Sequence, residues 1–289
     1  MTWGFVGLGQ MGLPMALNLS KIADCVAFDR KGEAPENLSK VSELSALSGS
    51  DQVILCLPSG AAVEDVLFGN GGLADKLEAG TLVIDTSTTS HGTAVRVGQM
   101  LAARGIAFLD APISGMQKRA EDGTLTMMVG GEPGPLETHR AALGSMASKI
   151  LHVGPVGAGQ LAKLMNQLLF DINMAALAEI LPVSAKLGLD PDQVAEIVNS
   201  GTGRSYASEF FVPNILRGVF DQGYPMKAAY KDLIAGAEVT TENGFPAPVL
   251  AAATATYQQA LAEGFGAEDK GAMIKVFERL IGAEFRSRE

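Results

Sequence analysis

The feature that most constrains this chain is a glycine triplet set between a short apolar run and a helical pattern. Trp3 to Val6 has the length and hydropathy of a buried strand, glycine stands at 7, 9 and 12, and Leu13, Met15, Ala16 and Leu19 then recur at helical spacing. In a strand–turn–helix unit of this kind Gly7 permits the tight turn and Gly9 lets a pyrophosphate approach the backbone. Gly12 lets the helix pack closely on the strand, while Leu8, Gln10 and Met11 complete the loop. The helix start offers N–H groups and a positive dipole end to phosphate. A second apolar run, Cys25 to Phe28, ends in Asp29. That is about twenty residues on, where a carboxylate accepts from a ribose 2′-hydroxyl. Asp29 favours NAD. Arg30 and Lys31 would suit NADP if the carboxylate turned aside, so NADP is not excluded.

The rhythm continues. Val53 to Leu57 is a continuous apolar run that stops at Pro58, and Leu82 to Ile84 runs into Asp85-Thr86-Ser87-Thr88. Ala107 to Asp110 follows a helical stretch from about Ser90 to Ala103, and a short helix is expected from Ser39 to Leu47, after a polar loop holding Gly32 and Pro35. Alternating strands and helices predict an α/β fold, a Rossmann-type doubly wound parallel sheet with ligands at the carboxyl ends of its strands. Thr124 to Gly131 and Ile150 to Val153 read as two further strands of unassigned direction.

Behaviour changes after Gly154-Pro155-Val156-Gly157-Ala158-Gly159. From Gln160 to Leu187 the chain is almost uninterrupted helix former, apolar nearly all round, which predicts burial on every side. Helical patterns also cover Pro191 to Asn199, Met226 to Glu242, Pro246 to Glu263 and Lys270 to Ile281, with no strand pattern among them. A chain of 289 residues suits two domains, here 1–156 for dinucleotide and 157–289 as an all-helical domain for substrate and oligomerisation. The long helix would join them, with the active site in the cleft between.

Net charge of -10 argues against nucleic acid or an anionic membrane as partner. No apolar run approaches the length of a membrane span, and the first strand begins at once, leaving no room for a signal peptide. Cys25 and Cys56 fall in expected strands and suit a reducing cytosol. The histidines, at 91, 139 and 152, do not cluster with cysteine, so no metal site is expected.

Three stretches could carry chemistry. Asp110-Ala111-Pro112-Ile113-Ser114-Gly115 leaves a strand at the ligand edge, and its Ser-Gly turn offers a hydroxyl and backbone N–H groups to a carboxylate. Read alone, it is equally a plain turn. Lys163 lies in the long apolar helix, on the same side as Asn166 and Gln167. Burial lowers a lysine pKa toward proton-transfer range, although a lysine near a helix start also snorkels to solvent. Lys231-Asp232 is a charged pair in a later helix and is commonly just solvated surface.

Taken in order, GFVGLGQMGLPMA, DAPISG, DGTLTMMVGG, G-x-x-G-x-G-x-x-x-K-x-x-N and KDL resemble the β-hydroxyacid dehydrogenase family, of the 3-hydroxyisobutyrate dehydrogenase and tartronate semialdehyde reductase type, over nearly the whole chain. The resemblance implies that Gly7 to Gly12, Asp29 and Arg30 hold the dinucleotide, with Leu57, Pro58 and Thr88 on its nicotinamide side and Lys231 closing over it. It implies that Ser114, Gly115 and Met116 bind the substrate carboxylate, Asn166 and Gln167 orient the substrate, and Lys163 is the general acid/base. The implied reaction interconverts a small 3-hydroxy acid and its semialdehyde, while the apolar helices predict a homodimer or homotetramer and the cysteines a cytoplasmic setting. Glyoxylate or succinic semialdehyde reduction is the alternative substrate class, and a non-catalytic dinucleotide sensor the alternative of another kind. One departure stands out. The family usually reads Ser-Gly-Gly, whereas this chain has Ser114-Gly115-Met116 and then Lys118-Arg119, which puts bulk and positive charge beside the acid loop.

Overall fold

In the computed structural model, which describes residues 2–31 and 34–288, nine strands make one sheet. Gly32 of the polar loop lies outside the described residues. β1 (Thr2–Val6), β2 (Asp24–Phe28), β4 (Gln52–Leu55), β5 (Leu82–Asp85) and β6 (Ala107–Asp110) run parallel in the order β2-β1-β4-β5-β6, with β3 (Ser39–Lys40) outside β2. Period-two alternation sends neighbouring side chains to opposite faces. Phe5, Ile54 and Ile84 enter one core with Met15 and Leu19, whereas Val6, Val53, Leu55 and Val83 enter another with Val63, Leu67 and Val97. Both faces are therefore dry, which is why β4 and β5 read as continuous apolar runs. The covering helices include α1 (Gly12–Ser20), α2 (Gly60–Phe68) and α3 (His91–Ala102).

The segment expected as a helix from Ser39 to Leu47 is instead β3 followed by a 3-10 turn at Leu44–Leu47. Ser39 and Lys40 pair with Val26 and Ala27, and Leu47 alone of the turn is buried, too little apolar surface to dock a helix.

Past β6 the chain makes β7 (Ile113–Ser114), a short helix α4 (Met116–Glu121), β8 (Leu125–Gly130), α5 (Pro133–Leu143) and β9 (Ala147–Gly154). β8 runs antiparallel to β6 and β7, while β9 runs parallel to β8. Connection length accounts for both directions. The β7–β8 link cannot make a full crossover, whereas α5 supplies one between β8 and β9.

Backbone contacts divide the chain into residues 1–163 and 164–289. α6 (Ala158–Lys186) starts in the first unit. The second holds α7 (Pro191–Ser200), α8 (Tyr206–Leu216), α9 (Met226–Glu242), α10 (Pro248–Ala262) and α11 (Ile274–Ile281), with 3-10 turns at Phe265–Ala267 and Lys270–Met273. Met174, Leu181, Phe211, Ile215, Leu233, Tyr257, Met273 and Phe285 form its core. α8 escapes the sequence reading because Pro213 looks like a breaker. The helix tolerates it behind a reciprocal Ser205–Ser208 cap.

α6 corrects two expectations. It is not buried all round, because Met165, Leu169, Ile180 and Val183 are exposed along it, as is Leu187 just past its end. It is also long and apolar enough, by length and composition, to cross a membrane. Its buried Asp171, ion-paired with Lys270, makes it the core helix of a folded unit.

Candidate active site

The glycine turn has the shape a dinucleotide requires. Gly7 adopts φ +101°, and a Cβ there would come within 3.2 Å of the Leu57 side chain. A Cβ on Gly12 would overlap the Gly7 carbonyl oxygen, whereas one on Gly9 would meet nothing within 4 Å. The space over Gly9 and the start of α1, which carries no side-chain cap, thus fit a pyrophosphate. Asp29 braces the turn from the end of β2. Its Oδ2 accepts from the Leu8 N–H at 2.7 Å and its Oδ1 from the Lys31 N–H at 2.7 Å. Arg30 points to Asp65 of α2, 2.6 Å away. Beyond β4, the Leu57 N–H donates to Ser87 Oγ at 2.9 Å, and Pro58 and Thr88 are exposed.

The acid loop belongs to the same unit. Ser114 ends β7, Gly115 has φ +146° and Met116 has φ +61°, the one positive φ among described non-glycine residues. Gln10 of the glycine turn donates through Nε2 to Gln117 Oε1 of α4 at 2.8 Å, so the structure ties the two loops together. The flanking cations are engaged locally. Lys118 pairs with Asp122 at 3.1 Å, and an Arg119 Nη2 donates to the Thr124 carbonyl.

Asp85 and Asp110 end adjacent strands in register. Both are buried, and burial pushes both carboxyl groups up, Asp85 to about 7. Backbone N–H donation from Gly157 and Gln160 partly restrains Asp110. Asp85 Oδ1 accepts from the Ser87 N–H at 2.9 Å. Sequence reasoning passed over Asp85 and Gln160, since neither stands in a chemically suggestive pattern.

On α6, Lys163 is 8% exposed. Further along, an Asn166 Nδ2–H reaches Gln167 Oε1 at 3.5 Å, and Gln167 Nε2 donates to Asp232 Oδ2 of α9 at 3.2 Å. The two amides and Asp232 are therefore joined in the second unit, whereas Lys231 is exposed. The histidines bond to backbone. His91 and His139 sit against the Gly157 and Pro135 carbonyls, and His152 against that of Gly131. Among the described residues no group of three or more His, Cys, Asp or Glu could hold a metal ion.

A family model described as the NAD binding domain of 6-phosphogluconate dehydrogenase matches residues 2–154. Another, described as NAD-binding of NADP-dependent 3-hydroxyisobutyrate dehydrogenase, matches residues 157–277. The chain is 39% identical to 2-(hydroxymethyl)glutarate dehydrogenase of Eubacterium barkeri, covering 96% of this chain and 95% of that one. The structure of 3-hydroxyisobutyrate dehydrogenase from Salmonella typhimurium matches with TM-score 0.85 at 27% identity, over 96% of this chain and 100% of that one. That of Mycobacterium tuberculosis 3-hydroxyisobutyrate dehydrogenase with L-serine matches with TM-score 0.84 at 30% identity, over 95% and 98%.

Proposed function

The chain belongs to the β-hydroxyacid dehydrogenase family, and from that premise we propose that it interconverts a small 3-hydroxy acid and its semialdehyde, with Lys163 as general acid/base. As a member it is an NAD(P)-dependent oxidoreductase of hydroxy acids. Three compounds named with the relatives above, 3-hydroxyisobutyrate, L-serine and 2-(hydroxymethyl)glutarate, share one skeleton. Each is a primary alcohol one carbon away from a carboxylate-bearing carbon, and they differ only in the third substituent there. We assign that skeleton to this enzyme's substrate.

The observation that carries the reading is a lysine only 8% exposed, one helical turn from Asn166 on α6. Held largely out of bulk water, this side chain can take the hydroxyl proton during oxidation and return it during reduction. Bound nicotinamide supplies the acceptor and donor of hydride. Ser114, Gly115 and Met116 hold the carboxylate through the Ser114 hydroxyl and the loop N–H groups. Asn166 orients the substrate oxygen. Gln167, bonded to Asp232, orients the substrate with it. Gly7, Leu8, Gly9, Gln10, Met11 and Gly12 hold the pyrophosphate, Leu57, Pro58 and Thr88 flank the nicotinamide, and Lys231 covers the cofactor. Asp29 and the engagement of Arg30 by Asp65 support NAD over NADP. The exposed apolar stripe of α6 supports a homodimer or homotetramer, and two unpaired cysteines support a cytoplasmic setting.

The test follows absorbance at 340 nm with NAD and NADP against the three compounds above, and with NADH against glyoxylate and succinic semialdehyde. Wild type should turn over at least one 3-hydroxy acid. Lys163→Ala should lose about 10²–10⁴-fold in kcat. Equal rates in the two proteins would remove Lys163 from its role. Binding of NADH without turnover of any compound would favour the sensor.

A further inference from the structure

We propose that Asp110 and Gln160 are positioning residues for Lys163, stapling the first turn of α6 to the ends of β5 and β6 and so setting where the lysine amine stands. The proposal rests on the reading of Lys163 as the proton-transfer group.

Helix starts are commonly capped by their own Ser, Thr, Asp or Asn. The residue before α6 is Gly157, which has no such side chain. The cap comes from the far end of β6. Asp110 Oδ1 accepts from the Gly157 N–H at 2.7 Å, and its Oδ2 accepts from the Gln160 N–H at 2.9 Å. Its carboxylate is fully buried against the positive end of the helix. Gln160, 2% exposed, adds two bonds from its side chain. Its Nε2 donates to the Ser87 carbonyl and its Oε1 accepts from the Thr89 N–H, both at 2.9 Å. Four hydrogen bonds thus bind one helical turn to the end of β6 and to the segment just after β5.

The local glycines clear space for this arrangement. A Cβ on Gly159 would lie 2.5 Å from the Met128 carbonyl oxygen and 2.8 Å from Asp110 Oδ2, and one on Gly130 would overlap Asp110 Oδ1. Gly157, at φ +94°, would press a Cβ to 2.5 Å from His91 Nδ1. A helix that needed only capping would not require three crowded glycines around a carboxylate borrowed from another strand. What the distant staple adds is registration. Lys163 stands three residues after Gln160, in the next turn. Rotating a helix by about 10° carries a tip at its ~5–6 Å outer radius through about 1 Å. Misplacement on that scale costs a reaction about 10²-fold.

The experiment places Gln160→Met and Asp110→Asn separately in the wild-type and Lys163→Ala backgrounds. Turnover is followed with NAD and whichever of 3-hydroxyisobutyrate, L-serine or 2-(hydroxymethyl)glutarate reacts fastest. NADH affinity is measured by fluorescence titration. In the wild-type background each substitution should lower kcat about 10- to 100-fold, leave the NADH Kd within about threefold, and raise the solvent deuterium isotope effect on kcat as proton transfer becomes limiting. In the Lys163→Ala background the same substitution should change the residual rate by less than about twofold, because the group it positions is gone. An equal fold-loss in both backgrounds, or an unchanged isotope effect, would mean general structural damage and overturn the proposal. Gln160→Met alone decides the matter if Asp110→Asn does not fold. Full activity of Lys163→Ala itself would overturn the reading of the lysine, an outcome distinct from failure of the staple.

Discussion

In residues 1–163 the candidate site is held mainly by glycines and by carboxylates bonded to backbone N–H, with the Gln10–Gln117 pair beside them. In residues 164–289 the candidate amides are instead held side chain to side chain, through Gln167 and Asp232. Asp29 braces the Leu8 amide and Asp110 braces the start of α6, each through the main chain. The helical unit instead centres on Asp171, fully buried, ion-paired with Lys270 and accepting from the Tyr257 hydroxyl at 3.2 Å. Lys270 Nζ also lies 4.2 Å from the Phe170 ring centroid, and Phe170 stacks in turn on Phe211. Backbone-made geometry tolerates almost any neighbouring side chain but no extra atom at its crowded glycines. Side-chain-made geometry tolerates backbone shifts but not the loss of a partner. The two units should therefore fail under different substitutions.

The sharpest break lies in the glycine turn. Gly12→Ala forces a Cβ into the Gly7 carbonyl oxygen, so it should unfold the first unit or leave the protein insoluble, as read by circular dichroism and thermal melting. Gly9→Ala meets open space. It should keep its Tm within about 2 °C, since no packing is disturbed. A methyl group where the pyrophosphate approaches should nevertheless weaken NADH binding at least about tenfold. Equal melting of the two variants would refute the division of labour among the glycines.

Next in size is Lys270→Ala, which leaves Asp171 buried without its cation. About 3–5 kcal/mol of stability should be lost. The double variant Asp171→Leu/Lys270→Met should recover part of it, because an apolar pair carries no desolvation penalty while the buried Tyr257 hydroxyl loses its acceptor. Calorimetry of both variants checks this. No recovery in the double variant would mean that the pair is kept for something other than mutual neutralisation.

These two cases also mark what could be read before the fold was known. The glycine turn, the strand rhythm to Asp110 and the helix bearing Lys163 were legible because each is local, a pattern within about twenty residues. Lys270 and Asp171 are 99 residues apart, and Asp110 and Gln160 are 50 apart, so nothing local marks either pairing. α8 was hidden by Pro213, α4 by its six residues, and β8's antiparallel direction by its dependence on the connection rather than on its own residues. The exposed stripe of α6 was hidden by composition, because an apolar face toward solvent and one toward a core read alike.

Buried carboxylates sharpen the comparison further. Asp171 has a cation beside it, and its carboxyl group is raised to about 6 by burial, with Lys270 pulling against the rise. Asp85, whose neighbours are Ser87 and Asp110, is raised to about 7 by burial. A carboxyl group with a raised folded-state pKa keeps its proton where the unfolded chain, titrating near 4, has lost it. Its contribution to stability is therefore present at low pH and lost as pH rises through the folded value. Wild-type stability should decline between about pH 4 and pH 7. Asp85→Asn should flatten that decline and raise stability at pH 8 on the order of 2–4 kcal/mol. A Tm profile from pH 4 to 8 checks the sign, and an unchanged slope in the variant would assign the decline to other groups.

The smallest effect sits in the acid loop, where backbone geometry and side-chain choice disagree. Met116 holds φ +61° directly after Gly115 at +146°, a position where an L-residue costs roughly 1–2 kcal/mol and glycine costs nothing sterically. Met116→Gly removes that strain but adds unfolded-state freedom worth roughly 0.4–1 kcal/mol. The net gain should be about 0.5 kcal/mol, a Tm rise of about 1–2 °C. Gln117→Gly is the matched control. It follows Met116 in α4, has no positive φ to relieve, and gives up its bonds to Gln10 and Glu121, so it should lower the Tm. If both glycines destabilise alike, Met116 is packed well enough to offset its strain. The loop would then be held by side chains, as the helical unit is, and the line between the two modes of construction would run through the candidate site itself.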